Sequence, residues 1–294
     1  METYSMKLIR FGEPGGERPG VILADATRLD VSDCVQDYDE AFFSGDGLSH
    51  LKRWLQTNAA SAPRVAPSVR LGSAIARPSK IVCIGLNFRD HARESKMEIP
   101  TEPVIFFKAS SSLVGPNDDL VMPKNAHKVD WEVELAVVIG KKGVYIETQD
   151  ALEHVAGYAL HNDYSEREFQ LERGGQWVKG KSADTFAPLG PYLATRDEIP
   201  DTSHLGMWLK TNAIFRQRSS TSEMIFDVPT LVSYVSQFMT LLPGDVISTG
   251  TPAGVGLGMK PPQYLKAGDV VELGIDQLGE ARQRVVAWRP SIES

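Results

Sequence analysis

Between Val129 and Ile139 the chain reads VDWEVELAVVI, a run in which apolar and polar residues alternate at a period near two. This is the period of a half-buried strand, whose successive side chains point to opposite faces. It sets Trp131, Val133, Leu135 and Val137 on one face. Glu132 and Glu134 share the other, with side chains about 7 Å apart. Similar apolar runs predict strands over Met6–Phe11, Gly20–Leu23, Pro103–Lys108, Tyr158–Asn162 and Asp245–Ser248, a short return over Ala24–Leu29 and a short strand within Pro78–Asn87. Trp208–Lys210 and Ala213–Arg216 flank a Thr211-Asn212 turn as a hairpin, and Asp269–Gly274 with Ala281–Trp288 closes another. Helical spacing is rarer. Leu48, Leu51 and Leu55 predict a helix over Leu48–Thr57, and Phe88–Met97 and Gln149–Val155 read as short helices. Pro229–Leu241 reads as a longer one, with Leu231, Val235, Phe238 and Leu242 on its apolar face. The pattern is α+β and mostly β. The Ala/Ser/Pro stretch Ala59–Pro67 reads as a linker between a small N-terminal accessory domain (1–70) and a main domain (71–294).

A chain of 294 residues with 42% apolar content buries a large core, and its 25 Gly and 18 Pro suit many strands and turns. A net charge of −7 argues against phosphate-backbone binding, and no basic run or zinc-type cysteine spacing supports nucleic acid. Cys34 and Cys83 stand alone, there is no apolar signal stretch, and no apolar run approaches the roughly 18 residues of a membrane span. The expectation is a cytoplasmic protein that engages neither membrane nor nucleic acid.

Charge changes the reading of the acidic strand. Two acids on an otherwise hydrophobic strand repel each other and lose solvation unless a cation lies between them. Asp163, at the end of Tyr158–Asn162, supplies a third carboxylate. An all-oxygen set suits Mg²⁺ or Mn²⁺ better than zinc. His91 and Glu94 are three apart and share a face on a helix, so the carboxylate can orient the imidazole as a general base requires. Arg167 and Gln170 return to the face of Asp163 on a helical turn. Either can hold an anionic substrate, or the arginine can neutralise Asp163 or Glu166 structurally. Lys108 ends a strand beside Ser110, Ser111 and Ser112 and is a further candidate substrate contact. Lys179 and Lys181, in the loop Gly174–Lys181, are both candidates for stabilising an oxyanion. The run TGTPAGVGLG from Thr249 to Gly258 lets backbone approach a ligand closely, but it lacks the GK[ST] of a phosphate loop and the helix of a dinucleotide fingerprint.

From about Pro78 to Trp288 the chain resembles the fumarylacetoacetate hydrolase family. The segments that carry the resemblance are IVCIGLNFRDHARE, PVIFFKASSS, DWEVELAVVI, HNDYSERE, KGKSADTFAPLGP, LLPGDVISTGTPAGVG and LKAGDVVELGI, in that order. Phe88 stands where many relatives have tyrosine. The resemblance implies a mixed β-roll catalytic domain with a small N-terminal domain, usually in a homodimer. Glu132, Glu134 and Asp163 match the family's Mg²⁺/Mn²⁺ ligands, and His91 and Glu94 its water-activating lid pair. It selects Lys181 over Lys179, and matches Thr251 to a substrate contact, with Arg167 and Gln170 beside it. It further implies hydrolysis of the C3–C4 bond of a 2,4-dioxo acid. Local likeness, above all GKSADTFAPLGPYLATRDEIPD, is to hydrolases of 2,4-diketo-3-deoxy-L-rhamnonate or L-fuconate, which yield pyruvate and L-lactate in L-rhamnose or L-fucose breakdown. Other acylpyruvate hydrolases, ureidoglycolate lyase and oxaloacetate decarboxylase share the metal triad.

Overall fold

The structure, a computed structural model, describes residues 6–95 and 98–290. Its centre is the strand Val133–Ile139, all seven residues of which are buried. The expected half-buried strand is therefore corrected to a fully buried one. It pairs antiparallel with Val155–Asn162 on one side and with Val246–Ser248 on the other, and packing covers both of its faces. Val133, Leu135, Val137 and Ile139 share an apolar cluster with Leu209, Val271 and Leu273 of a second sheet. On the opposite face, Ala136 and Val138 continue beyond Glu134 and lie in a cluster with Leu8, Val21, Leu51 and Leu55 from the beginning of the chain. The central strand thus carries the acid Glu134 at one end of that face and packs apolar side chains at the other.

Among the described residues the large sheet has nine strands. In spatial order they are Arg28–Asp30, Arg18–Ile22, Lys7–Phe11, Leu193–Thr195, Val155–Asn162, Val133–Ile139, Val246–Ser248, Ile81–Gly85 and Val104–Lys108. The first three strands of the chain extend the same sheet, with Lys7 opposite Ala194 and Leu8 opposite Leu193. Residues 6–70 are joined to the remainder by backbone pairing and by the shared apolar cluster, as well as by the stretch 59–67. Full burial of a leucine contributes about 1.5–3 kcal/mol, and Leu51 and Leu55, both wholly buried, fasten the helix Gly47–Asn58 in that cluster. The second sheet contains the hairpin Gly206–Thr211/Ile214–Ser220 and the pair Val270–Ile275/Gly279–Val286.

The predicted acidic run is interrupted. Val129–Asp130 and Val133–Ile139 are separate strands because the donors between them turn to side chains: Glu132 N–H to Asn162 Oδ1 and Val133 N–H to Gln217 Oε1, both at 3.0 Å. The hairpin turn falls one residue later than expected, on Asn212-Ala213. Both have positive φ, 50° and 64°, as a two-residue type I′ turn requires. The helix expected over Pro229–Leu241 is Val228–Ser236, capped by Asp227. It stops before Phe238, which is exposed instead of part of the apolar face. Thr148–His154 is a 3-10 helix, and the expected loop before Ser182 ends in a short helix, Val178–Lys181. The helix expected over Phe88–Met97 is Arg89–Ser95, its last two predicted positions lying outside the described residues.

Candidate active site

Sheet register brings the three candidate ligands together. His161 lies opposite Glu134 and Asn162 opposite Val133, so the next residue, Asp163, arrives beside Glu132 and donates its N–H to the Glu132 carbonyl at 2.9 Å. Glu132, Glu134 and Asp163 each present a carboxylate oxygen within 4.8 Å of the others, and all three are buried. At an effective dielectric near 20, two charges at that separation repel by about 3 kcal/mol. The cluster persists only because cations surround it. Lys181 Nζ donates to Glu132 Oε2 at 2.6 Å and to Asp163 Oδ2 at 2.8 Å. Lys108 Nζ donates to Asp163 Oδ1 at 2.5 Å. Arg167 donates through Nη2 to Glu132 Oε1 at 2.6 Å and through Nε to Asp130 Oδ2 at 2.9 Å.

Four acids, Asp130, Glu132, Glu134 and Asp163, thus face three cations, and the uncompensated charge falls on Glu134. Burial, then repulsion from Asp163 and Glu132, pushes the Glu134 carboxyl well above the usual range. Burial also disfavours the Asp163 anion, but Lys108 and Lys181 outweigh it and hold that carboxyl well below. For Lys181, burial is outweighed by Asp163 and Glu132, so the ammonium is held above its ordinary value. Among the described residues, Glu134 Oε1 is the one oxygen of the three carboxylates with no donor; Oε2 accepts from Ser248 Oγ at 2.5 Å and from the Gly250 N–H at 3.0 Å. A carboxyl oxygen without a donor, on a residue that lines the cavity and beside two further carboxylates, fits a hard divalent cation.

Glu132, Glu134 and Lys181 line a cavity of about 660 Å³. Its wall also carries His91 and Glu94, from the helix Arg89–Ser95. His91 Nδ1 and Glu94 Oε2 are 3.4 Å apart, and both Glu94 oxygens accept the Gly254 N–H at 3.1 Å. Burial opposes the Glu94 anion, but the bonds from His91 and Gly254 win and lower its pKa. Asp90 anchors the start of this helix, accepting from Ser219 Oγ at 2.6 Å.

The glycine-rich loop lines the cavity with Thr251, Val255, Leu257 and Gly258. Its close backbone approaches are to the protein's own acids: Gly250 N–H to Glu134, Gly254 N–H to Glu94, and Gly256 and Leu257 N–H to Asp130. Gly254 has φ +103°, and a Cβ there would stand 1.9 Å from the Arg216 carbonyl oxygen, so no other residue fits.

The substrate-contact candidates fare unevenly. Lys108 is corrected: its side chain is wholly buried behind Asp163, bonded also to the Tyr164 carbonyl, and does not line the cavity. Its strand position sends it under the triad, where it neutralises Asp163. Arg167 and Gln170 do line the cavity. Arg167 is bound to Asp130, Glu132 and Gln170, and not to Asp163 or Glu166, the structural partners considered from sequence. Glu166 instead accepts backbone N–H groups of His127, Lys128 and Phe169. Thr251 lines the cavity with its hydroxyl donated to Val133 O at 2.9 Å. Asp130 is the residue that sequence reading passes over. It accepts from Trp131, Gly256, Leu257 and Arg167, tying the loop to the triad, and strand parity with Glu132 and Glu134 is the signal that marks it.

A model of the fumarylacetoacetate (FAA) hydrolase C-terminal family matches residues 80–286. The chain belongs to this family. A relative from Burkholderia multivorans, whose name goes no further than hydrolase, is 50% identical over 285 residues, covering 97% of this chain and 100% of the relative. The solved fumarylacetoacetate hydrolase of Exiguobacterium antarcticum is 39% identical, with a TM-score of 0.84 over 97% of this chain and 100% of that one. Maleylpyruvate hydrolase of Sphingobium sp. SYK-6, solved with manganese(II) and pyruvate, is 29% identical, with a TM-score of 0.81 over 97% and 100%. The mostly β α+β fold is this family's, and the protein is an enzyme of the family whose Glu132, Glu134 and Asp163 are grouped closely enough to hold a metal ion.

Proposed function

We propose that the protein hydrolyses the C3–C4 bond of a 2,4-dioxo acid with the help of Mg²⁺ or Mn²⁺. The observation that carries this reading is a single cavity lined both by acids of the Glu132–Glu134–Asp163 cluster and by the His91–Glu94 pair. The similar Sphingobium enzyme, a maleylpyruvate hydrolase in complex with manganese(II) and pyruvate, supports the same assignment.

When bound, the cation supplies positive charge for the substrate's 1-carboxylate and 2-oxo oxygens and for the enolate product. Glu94 faces His91 Nδ1, which leaves Nε2 as the basic nitrogen. His91 takes a proton from water there, and the hydroxide adds to the C4 carbonyl. Lys181 has three N–H donors and two are engaged, so the third stabilises the oxyanion. The C3–C4 bond breaks with its electron pair going to C3. Protonation at C3 then yields pyruvate, and C4 leaves as a carboxylic acid. Arg167 and Gln170, on the cavity wall, orient the substrate.

Within this chemistry we assign 2,4-diketo-3-deoxy-L-rhamnonate or L-fuconate as substrate and pyruvate and L-lactate as products, on the sequence likeness over residues 180–201. A cytoplasmic homodimer is the matching assembly, checked by light scattering. The assay is release of pyruvate, with and without Mg²⁺ or Mn²⁺, from these two acids, acetylpyruvate and oxaloacetate, and release of glyoxylate from ureidoglycolate. Metal-dependent release of pyruvate and lactate from a sugar-derived acid supports the reading. Turnover of acetylpyruvate alone moves the substrate to a simpler acylpyruvate, and turnover only of oxaloacetate or ureidoglycolate overturns hydrolysis.

A further inference from the structure

The strands on either side of Val133–Ile139 each send one polar side chain to Glu134. His161 lies opposite Glu134 in the pairing with Val155–Asn162, and Ser248 ends the strand Val246–Ser248. Ser248 Oγ is 2.5 Å from Glu134 Oε2, and His161 Nδ1 is 2.7 Å from Ser248 Oγ. All three residues are at most 1% exposed.

The directions of these bonds follow from proton counting. A carboxylate that binds a metal is ionised and only accepts, so the single hydroxyl hydrogen of Ser248 points at Glu134. The contact between His161 and Ser248 then takes its hydrogen from Nδ1. This leaves the His161 Nε2 lone pair buried with no hydrogen-bond partner among the described residues. Burying a polar atom unpaired is unfavourable, and an apolar residue at 161 would avoid it. Glu134 is also the ligand that no lysine or arginine contacts, so its orientation depends on neutral donors. With Oε2 held by Ser248 and Gly250, Oε1 is the oxygen left to face the ion.

We propose that His161, through Ser248, is a positioning residue for the metal site: its Nδ1–H sets the direction of the Ser248 hydroxyl, which holds Glu134 with Oε1 toward the cation. This rests on the reading that Glu132, Glu134 and Asp163 bind a divalent ion.

The test is Mn²⁺ titration, followed by electron paramagnetic resonance, of the intact wild-type protein and of Ser248→Ala, His161→Leu and His161→Asn. Loss of such an outer hydrogen bond weakens metal binding by about 10–100-fold. That loss is expected in Ser248→Ala and His161→Leu, while His161→Asn, whose amide places an N–H near the Nδ1 position, recovers most of the affinity. Nitrogen-15 spectra of the Mg²⁺-loaded wild type should show His161 protonated at Nδ1 and bare at Nε2. Unchanged affinity in Ser248→Ala, an asparagine no better than leucine, or a proton on Nε2 overturns the proposal. Should His161→Leu fail to fold, the proton position in the nitrogen-15 spectra decides together with Ser248→Ala. A wild type that takes up no Mn²⁺ overturns the metal reading and this inference with it, whereas unchanged affinity in the variants overturns this inference only.

Discussion

Glu94 accepts the Gly254 N–H with both carboxylate oxygens at 3.1 Å, joining the helix that carries His91 to the glycine-rich loop. The carboxyl pKa is lowered from its ordinary 4.5, because the bonds from His91 and Gly254 outweigh burial. The sign follows directly: a depressed acid stabilises the docked helix in full above its unfolded value, and that contribution is lost as pH falls through the lowered value. Carbon-13 titration of the Glu94 carboxyl should give a midpoint below 4.5. A midpoint at or above it means that Glu94 is not held by Gly254 and His91.

Lys181 is buried between Glu132 and Asp163, and removing one partner of a buried charge cluster costs about 3–5 kcal/mol. Lys181→Met, unfolded in urea with a chelator present, should lose stability of that size. Its kcat should fall by about 10²–10³-fold, the usual effect of deleting one oxyanion donor. Normal turnover in this variant would remove Lys181 from the chemistry.

Glu134 should behave in the opposite way. It carries the charge that the surrounding lysines and arginine leave uncompensated, so Glu134→Gln relieves the metal-free fold. We expect a gain of about 0.5–2 kcal/mol with chelator present, the range common for a substitution that removes functional strain. The same variant should lose the stabilisation that Mn²⁺ gives the wild type. A destabilised metal-free variant would show that Glu134 is well compensated without an ion.

Much of this site is legible in the chain, for identifiable reasons. Glu132 and Glu134 share a strand face by parity, and Asp163 joins them because a strand ends one residue before it. The same parity marks Asp130. Lys108 is harder to place: a lysine at a strand end reads equally well as a cavity residue or as a counter-ion, and only the sheet order puts it beneath Asp163. The bond between His161 and Ser248 spans 87 positions, and no local pattern encodes it. The interruption at Trp131–Glu132 has a similar origin, since the side chains that divert the backbone, Asn162 and Gln217, come from distant strands.

Asp130 gives a stability prediction of its own. Its carboxylate accepts from Arg167 and from three backbone N–H groups, and it is fully buried. Asp130→Ala leaves the guanidinium with one fewer counter-charge and frees the loop at Gly256. A loss of about 3–5 kcal/mol is expected, measured as a fall in the urea midpoint at unchanged slope. A loss under about 1 kcal/mol, ordinary for a surface change, would mean that the loop holds its place without it.

His91→Ala, assayed beside the wild type for pyruvate release from a 2,4-dioxo acid and for Mn²⁺ affinity, tests the central claim most directly. With His91 as the general base, kcat falls by about 10²–10⁴-fold while Mn²⁺ affinity stays that of the wild type, because His91 is not a member of the carboxylate cluster. Retained turnover, or turnover and Mn²⁺ binding lost together, would contradict the division of labour between His91 and the Glu132–Glu134–Asp163 site.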